Sequence, residues 1–140
     1  MTNSIPEFEK DTNCFFIIGS NTSEGHPLIA TRVLKAQKRG AKVIVMDPRK
    51  NQIGQWADIY YEFRPGSDVA LFNGLMHVII AEGLADEAYI AERTEDFEAL
   101  KALVAEYPPE RVAEITNIPA DGIREIARTY AQNKPGAILY

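Results

Sequence analysis

Cysteine and histidine are scarce in this sequence of 140 residues. It contains one cysteine, Cys14, and two histidines, His26 and His77, that lie far apart. A single cysteine excludes an internal disulfide, a four-cysteine zinc site and a self-contained iron–sulfur cluster. The histidines lack the spacing of a metal-binding motif. We therefore expect no metal to be held by this chain alone, and we expect His77 and Cys14 to be structural core residues.

Long apolar runs are also missing. No stretch approaches the roughly 18 apolar residues that a membrane-spanning helix needs, and residues 1–10 are polar and acidic, unlike a secretion signal. We expect no membrane insertion and a cytoplasmic location. The length suits one packed core and is too short to expect two, so we predict a single domain over residues 1–140.

Two common phosphate-binding motifs are absent, the G-x-G-x-x-G dinucleotide fingerprint and the P-loop with its Gly-Lys-Ser/Thr. Basic residues are few in the second half. Residues 71–140 contain six Lys/Arg and twelve Asp/Glu, against nine and eight in residues 1–70. Nucleic acid is bound chiefly through Lys and Arg. We therefore expect no nucleic-acid binding, even though residues 112–130 could imitate a helix-turn-helix pair, and we expect any anion site in the first half.

The first half contains patterns typical of alternating strands and helices. Residues 14–18 (CFFII) and 42–46 (KVIVM) are short apolar runs rich in β-forming residues, which predicts buried strands. Between them, residues 26–39 have helical periodicity, with Pro27 in the first turn and Gly40 after the end. A third, weaker strand is predicted over residues 58–63. Strands joined in this way are parallel, with a right-handed crossover.

The second half has mostly helical patterns. A long apolar helix is predicted to begin at Ser67 or Asp68 and to run to about Gly83. Four further helices are predicted over residues 88–91, 97–106, 110–115 and 119–132, and a fourth apolar strand begins near Ala137. The predicted fold is α/β: a Rossmann-like parallel sheet of about four strands, with helices on both faces and a helical C-terminal half. Because a buried strand seldom ends a domain, we expect a fragment of a larger protein.

Three polar turns follow the three predicted strands, at the edge where open parallel sheets bind ligands. The first covers residues 19–26. Its glycine, Gly19, lets the backbone approach a ligand, Ser20, Asn21 and Thr22 offer donors, and the helix that follows points its positive end at an anion. A pyrophosphate suits this turn. An equally plausible alternative is that Asn21, Thr22 and Ser23 only cap the helix.

The second and third turns favour a nucleoside. Asp47 lies 22 residues beyond Gly25, where an acid commonly accepts hydrogen bonds from a ribose, and Arg49 could pair with phosphate or stack on a base. Asp68 suits the adjacent N–H donors of a guanine edge. The alternatives are that Asp47 and Pro48 simply begin a turn and that Asp68 is an ordinary helix cap.

Several of these residues form longer ordered patterns. The sequence resembles the molybdopterin-dependent oxidoreductases, most closely the large subunit of formate dehydrogenases, at seven places along the chain. The matching stretches are residues 1–6 (MTNSIP), 18–21 (IGSN), 24–27 (E-x-H-P), 45–49 (V-x-D-P-R), 57–58 (AD), 64–71 (RPGSDVAL) and 91–94 (AERT).

The resemblance implies a Rossmann-like domain of a larger subunit that holds one arm of a molybdenum or tungsten bis(molybdopterin guanine dinucleotide) cofactor. It implies that residues 19–26 contact the pyrophosphate region and that residues 47–51 and 66–68 hold the guanosine. The implied cofactor-binding residues are Gly19, Ser20, Asn21, Thr22, Glu24, His26, Asp47, Pro48, Arg49, Gly66, Ser67 and Asp68.

The same resemblance implies that the parent subunit is an enzyme that oxidises formate to carbon dioxide, with a 4Fe–4S cluster outside this chain. The implied partners are the rest of that catalytic subunit and its electron-transfer subunits. No catalytic residue is expected in this chain. Gly25 and Gly54 stand where many family members have larger residues. The alternatives are a nitrate reductase-like relative and a stand-alone nucleotide-binding module, for example for GTP or NAD.

Overall fold

The computed structural model describes residues 5–140, apart from the side chain of Glu7. The stretch Met1–Ser4, which opens the family resemblance, lies outside the described residues. Two compact units can be distinguished. The strand unit comprises residues up to Phe63 together with Gln132–Tyr140, and the helical unit comprises Arg64–Ala131. The prediction of a single domain stays a prediction.

The strand unit contains a parallel sheet of four strands in the order β3-β2-β1-β4. Its helices are short except for α3. In chain order, its elements are α1 (Ile5–Lys10), β1 (Cys14–Ile18), α2 (Thr22–Gly25), α3 (Pro27–Lys38), β2 (Lys42–Met46), α4 (Gln52–Trp56), β3 (Ile59–Tyr61) and β4 (Gly136–Leu139).

The central strands are apolar because they are buried. All five residues of β1 are buried, and so are the last four of β2. Alternate residues such as Phe15 and Val43 pack in one cluster with Phe8 of α1, Val33 of α3 and Ile53 of α4. Since side chains alternate along a strand, this cluster covers one face of the sheet and fixes these helices on that face.

Polar contacts also hold α1 and α3 in place. Glu9 of α1 accepts a hydrogen bond from Arg32 (3.1 Å), and its carboxylate lies 3.7 Å from the ammonium of Lys35. Just after the end of α3, Arg39 donates to the carbonyl of Thr12 (2.9 Å). Gly40 then ends the helix with a positive φ of 111°, a conformation that favours glycine.

The helical unit contains five helices among its described residues. They are α5 (Asp68–Ala81), α6 (Glu87–Arg93), α7 (Phe97–Val104), α8 (Pro109–Thr116) and α9 (Ala120–Gln132). The predicted stripe on α9 is confirmed at its first three positions, where Ile123, Ile126 and Ala127 are buried. Gly74 of α5 lies against Val112 of α8, where a Cβ on Gly74 would meet a methyl carbon at 2.8 Å. Glycine is therefore what allows α5 and α8 to approach so closely.

The predicted fold class, a parallel α/β sheet with a helical C-terminal half, is confirmed. The bounds of β1 and β2 are as predicted, whereas β3 covers three residues instead of six. Asp58 precedes β3, and its carboxylate accepts hydrogen bonds from the Val43 amide and the Gln37 side chain, both at 2.9 Å. Three short helices, α1, α2 and α4, were not predicted.

Within residues 5–140, no helix combines the length and the apolar character needed to cross a membrane. In the same range, no group of three or more His, Cys, Asp or Glu side chains is arranged to hold a metal ion.

Candidate functional site

The order of the strands marks one place in the sheet where a ligand is expected. From β1 the chain continues to β2 and then β3 on one side, whereas β4 pairs with β1 on the other side. The direction of the connections therefore reverses at β1. Open parallel sheets bind ligands at such a switch point, beyond the carboxyl ends of the strands. Residues 19–26 follow β1 at this position.

The backbone of the first turn leaves open space beside Gly19. Its φ of 59° is left-handed, which favours glycine, and no atom lies within 4 Å of the place that a Cβ would occupy. The Gly19 amide donates to the carbonyl of Met46 at 2.9 Å, which links the turn to the end of β2. The turns that follow β1 and β2 are thus joined at one edge of the strand unit.

The side chains of the first turn are partly engaged with one another. Thr22 is buried, with 2% of its surface exposed, and its hydroxyl lies 3.3 Å from the Ser20 hydroxyl. Ser23 donates to the side-chain oxygen of Asn21 at 2.9 Å. Thr22 therefore shapes the turn from within, whereas Ser20 and Asn21 are half-buried and keep donor hydrogens for a ligand.

The helix that follows the first turn differs from the prediction. One turn of helix, α2, comes first, and α3 begins only at Pro27, with His26 between them. Asn21 is at the N-cap of α2 and His26 is at the N-cap of α3, and neither makes a side-chain capping bond. Glu24 and His26 are exposed.

Asp47 organises the second turn. The residue is 7% exposed, and its two carboxylate oxygens accept hydrogen bonds from the Arg49 amide (2.8 Å) and the Asn51 side chain (3.2 Å). Asn51 in turn accepts from the amide of Gly54 at 2.9 Å and so caps α4. Asp47 therefore does begin a turn, as the alternative stated. A carboxylate has further lone pairs, so a bond to a ribose is compatible with this arrangement.

Two cations extend from this turn. Arg49 and Lys50 are exposed, as is Pro48, and neither cation lies within 4 Å of a carboxylate belonging to a described residue. The ammonium of Lys50 lies over the ring of Tyr60, 5.4 Å from its centroid. The second turn therefore presents positive charge at the carboxyl end of β2.

Tyr60 and Gly54 belong to the surroundings of the site. From the sequence, Tyr60 was a candidate either to stack on a base or, more commonly, to pack in the core or at the rim. A Cβ on Gly54 would lie 2.9 Å from the Tyr60 ring, so glycine provides the space for that ring. The Tyr60 hydroxyl lies 3.2 Å from the Glu62 carboxylate and 3.5 Å from the Asp47 carbonyl. Burial, with help from Glu62, raises the pKa of Tyr60 to about 12.

The third predicted turn lies in the helical unit. Gly66 has a φ of 80°, which favours glycine. Ser67 is at the N-cap position of α5, yet its hydroxyl donates to the Arg64 carbonyl instead of capping the helix. Asp68 is the first residue of α5, and it is exposed. The meeting of this turn with the other two stays a prediction.

Two further predictions are confirmed outside these turns. The Nδ1–H of His77 donates to the Val104 carbonyl at 2.9 Å, which makes His77 a hydrogen-bonded structural residue. Cys14 is fully buried in β1, and this burial raises the pKa of its thiol to about 12. Neither residue belongs to the candidate site.

Comparison with known proteins identifies the family. The sequence model of the molybdopterin oxidoreductase family matches residues 1–135. The chain belongs to the molybdopterin oxidoreductases. The family resemblance inferred from the sequence is thereby confirmed.

Three similar proteins place the chain within this family. It is 44% identical over its whole length to the alpha subunit of F420-dependent formate dehydrogenase 1 of Methanococcus maripaludis, of which it covers 21%. It is 44% identical over 81% of its length to nitrate reductase of Symbiobacterium thermophilum, of which it covers 16%. The structure of acetylene hydratase from Pelobacter acetylenicus superimposes with a TM-score of 0.88 at 40% identity, over 94% of this chain and 18% of that one. The chain therefore spans about a fifth of the length of these proteins.

The residues of the strand unit fit a phosphate-bearing part of the pterin cofactor that the family implies. The open space at Gly19 allows a close approach, Ser20 and Asn21 supply donors, and Arg49 and Lys50 supply positive charge. These residues offer donors and cations, which suit an anion. When bound, such a cofactor would supply the chemistry, and these residues would supply its position.

Proposed function

We propose that this chain is a cofactor-binding domain of a larger catalytic subunit, and that it binds the guanine dinucleotide arm of a molybdenum or tungsten bis(molybdopterin guanine dinucleotide) cofactor. The single observation that carries the proposal is the place of the first two turns. Both lie at the carboxyl ends of adjacent parallel strands, and the first lies at the switch point of the sheet.

The first turn is proposed to hold the pyrophosphate. Gly19, Ser20 and Asn21 bring backbone and side-chain donors to one open place, and phosphate oxygens accept from such donors. Thr22 supports the turn from its buried position. Glu24 and His26, exposed at the following helices, are proposed to contact the same part of the ligand.

The second turn is proposed to bind the sugar and the neighbouring phosphate. The internal hydrogen bonds of Asp47 hold the loop in one shape, and Pro48 restricts it further. Arg49 then extends from a loop of fixed conformation toward an anion or a nucleobase. Binding to a preformed loop loses less conformational entropy than binding to a mobile one.

The third turn is proposed to recognise guanine. The Asp68 carboxylate is exposed at the start of α5 and can accept the two adjacent N–H donors of a guanine edge. Adenine lacks that pair of donors, so the contact would select the base. Gly66 and Ser67 shape the turn that presents Asp68.

For the whole protein we propose oxidation of formate to carbon dioxide, with electrons passed through a 4Fe–4S cluster outside this chain to further subunits. The similarity to a formate dehydrogenase over the full length of the chain supports this substrate. Proteins named for nitrate and for acetylene are nearly as similar, so a nitrate reductase-like parent is the second candidate. A stand-alone nucleotide-binding module is less favoured, because the family members named above are about five times longer.

The test uses the full-length subunit that contains this chain, purified with its cofactor. Hydrolysis of the pyrophosphate bond in acid would release GMP, which chromatography quantifies per polypeptide, and metal analysis gives the molybdenum or tungsten content. Arg49→Ala is expected to lower both contents severalfold, because it removes an exposed cation from the second turn.

The matched control is Arg93→Ala, which removes an exposed arginine from α6 in the helical unit, where it pairs with the neighbouring Glu92. The control is expected to retain both contents. Release of AMP or of no nucleotide from the unaltered protein would refute the guanine assignment. Equal contents in the two variants would refute the role of the second turn.

A further inference from the structure

The Asp47–Asn51 loop is held from outside by a residue of the next strand. Tyr60 lies on β3, and its ring contacts the loop at two places. The Lys50 ammonium lies over the ring, 5.4 Å from the centroid, and the hydroxyl lies 3.5 Å from the Asp47 carbonyl. This distance lies within the range of about 6 Å over which an aromatic face attracts a cation. The ring thus restricts a long side chain that would otherwise move freely in water.

The position of the Tyr60 ring is itself fixed. A Cβ on Gly54 would lie 2.9 Å and 3.0 Å from two carbons of the ring, so the ring packs directly on the backbone of α4. The hydroxyl also lies 3.2 Å from Glu62. A phenol has one hydrogen, so Glu62 and the Asp47 carbonyl compete for it. The ring, held by Gly54, therefore contributes more to the position of Lys50 than the hydroxyl does.

Lys50 is suited to an anion. Among the described residues, no carboxylate lies within 4 Å of its ammonium, and the contact with the ring leaves N–H donors available. The nearest acid on the loop, Asp47, already accepts two hydrogen bonds from the loop. The loop therefore holds a cation with a defined position and without a protein counter-ion.

We propose that Lys50 binds a phosphate oxygen of the nucleotide and that Tyr60 is the positioning residue that holds Lys50 for this contact. The inference rests on the proposed function and adds two residues to the site. Gly54 is required in this arrangement because a larger residue would displace the ring. A methyl group on Gly54 would move the ring, and Lys50 with it.

The experiment measures how fast the full-length holoenzyme loses its guanine nucleotide. The protein is kept in nucleotide-free buffer and desalted at intervals, and the GMP released from the retained fraction by acid is quantified. Lys50→Gln and Tyr60→Leu are each expected to shorten the half-time of loss about tenfold. Tyr60→Phe, which retains the ring, is expected to change it less than about twofold. If a variant already contains little nucleotide after purification, its effect is ranked by that nucleotide content instead of by the half-time of loss.

The double variant decides whether Tyr60 acts through Lys50. If it does, Tyr60→Leu combined with Lys50→Gln loses nucleotide about as fast as either single variant, whereas independent effects would multiply to about a hundredfold. Tyr61→Leu is the control, since Tyr61 is the half-buried neighbour on the same strand and points to the opposite face. Equal effects of Tyr60→Leu and Tyr61→Leu, a multiplicative double variant, or an unchanged half-time for Lys50→Gln would each overturn the proposal. If Arg49→Ala loses nucleotide but the Lys50 and Tyr60 variants do not, the inference about Lys50 and Tyr60 fails and the proposed function stands.

Discussion

Gly74 marks the closest approach of α5 and α8, so Gly74→Ala tests the packing of the helical unit. A Cβ at this position would lie 2.8 Å and 3.0 Å from the two methyl carbons of Val112 and 3.2 Å from its Cβ. No rotation about χ1 relieves all three contacts, because the Cβ does not move and valine is stiff. The two helices must therefore separate.

The expected change in stability is the difference between two effects. Alanine in place of a helical glycine stabilises by about 1 kcal/mol, and overpacking a buried contact costs about 2–3 kcal/mol. We therefore expect Gly74→Ala to lower the free energy of unfolding by about 1–2 kcal/mol. Urea denaturation of the 140-residue chain, followed by circular dichroism, measures it.

Two further variants make the measurement decisive. Gly25→Ala places a methyl group in open space at an ordinary φ, so it is expected to stabilise by about 0.5 kcal/mol. Val112→Ala removes the two methyl groups and is expected to cost about 2 kcal/mol. The double variant Gly74→Ala/Val112→Ala should lose at least about 1 kcal/mol less stability than the sum of the two single effects. If Gly74→Ala stabilises the chain as Gly25→Ala does, the close contact between α5 and α8 is refuted.

Two other predictions concern titratable groups. The Cys14 thiol is buried and its pKa is raised to about 12, so Ellman's reagent at pH 8 should react with it only after denaturation; rapid reaction in the folded chain would contradict its burial. Glu82 has its pKa lowered, chiefly by the hydrogen bonds from Arg128 (both 2.8 Å). Because the pKa of Glu82 is lower in the folded chain than in the unfolded chain, its ionised carboxylate stabilises the folded state above the unfolded pKa of 4.5. This stabilisation is lost as the pH falls from 4.5 through the lower pKa of the folded state. Glu82→Gln should therefore reduce the loss of stability between neutral pH and pH 3, measured by urea denaturation, and an unchanged pH profile would show that the pair is not formed.

The sequence was most informative where burial determines the residue type. The bounds of β1 and β2 follow from the apolar runs at Cys14–Ile18 and Lys42–Met46, since strands with few exposed residues contain almost only apolar ones. The short helices left no such signal. The four residues of α2 and the five of α4 form little more than one turn each, so periodicity cannot distinguish them from loops. Asn51 was the available clue, because its side chain caps α4.

The candidate site was predictable as a set of turns and not as a set of contacts. Glycine and polar residues after a strand indicate a turn, which located residues 19–26 and 47–51. That Thr22 faces inward and that Asp47 is satisfied by its own loop depends on backbone geometry. The role of Tyr60 depends on Gly54 and Lys50, which approach it from different elements. A glycine at position 54, where many family members have larger residues, was one hint in the sequence, and the aromatic Tyr60 close to the predicted cleft was another.

The most direct test of the central claim is an experimental structure of the full-length subunit with its cofactor. The account predicts a guanine nucleotide at the carboxyl ends of β1 and β2, with phosphate oxygens within hydrogen-bonding distance of the turn at Gly19–Asn21 and the Lys50 ammonium close to a phosphate. A nucleotide bound elsewhere in the subunit, with these turns covered by other parts of the protein, would contradict it.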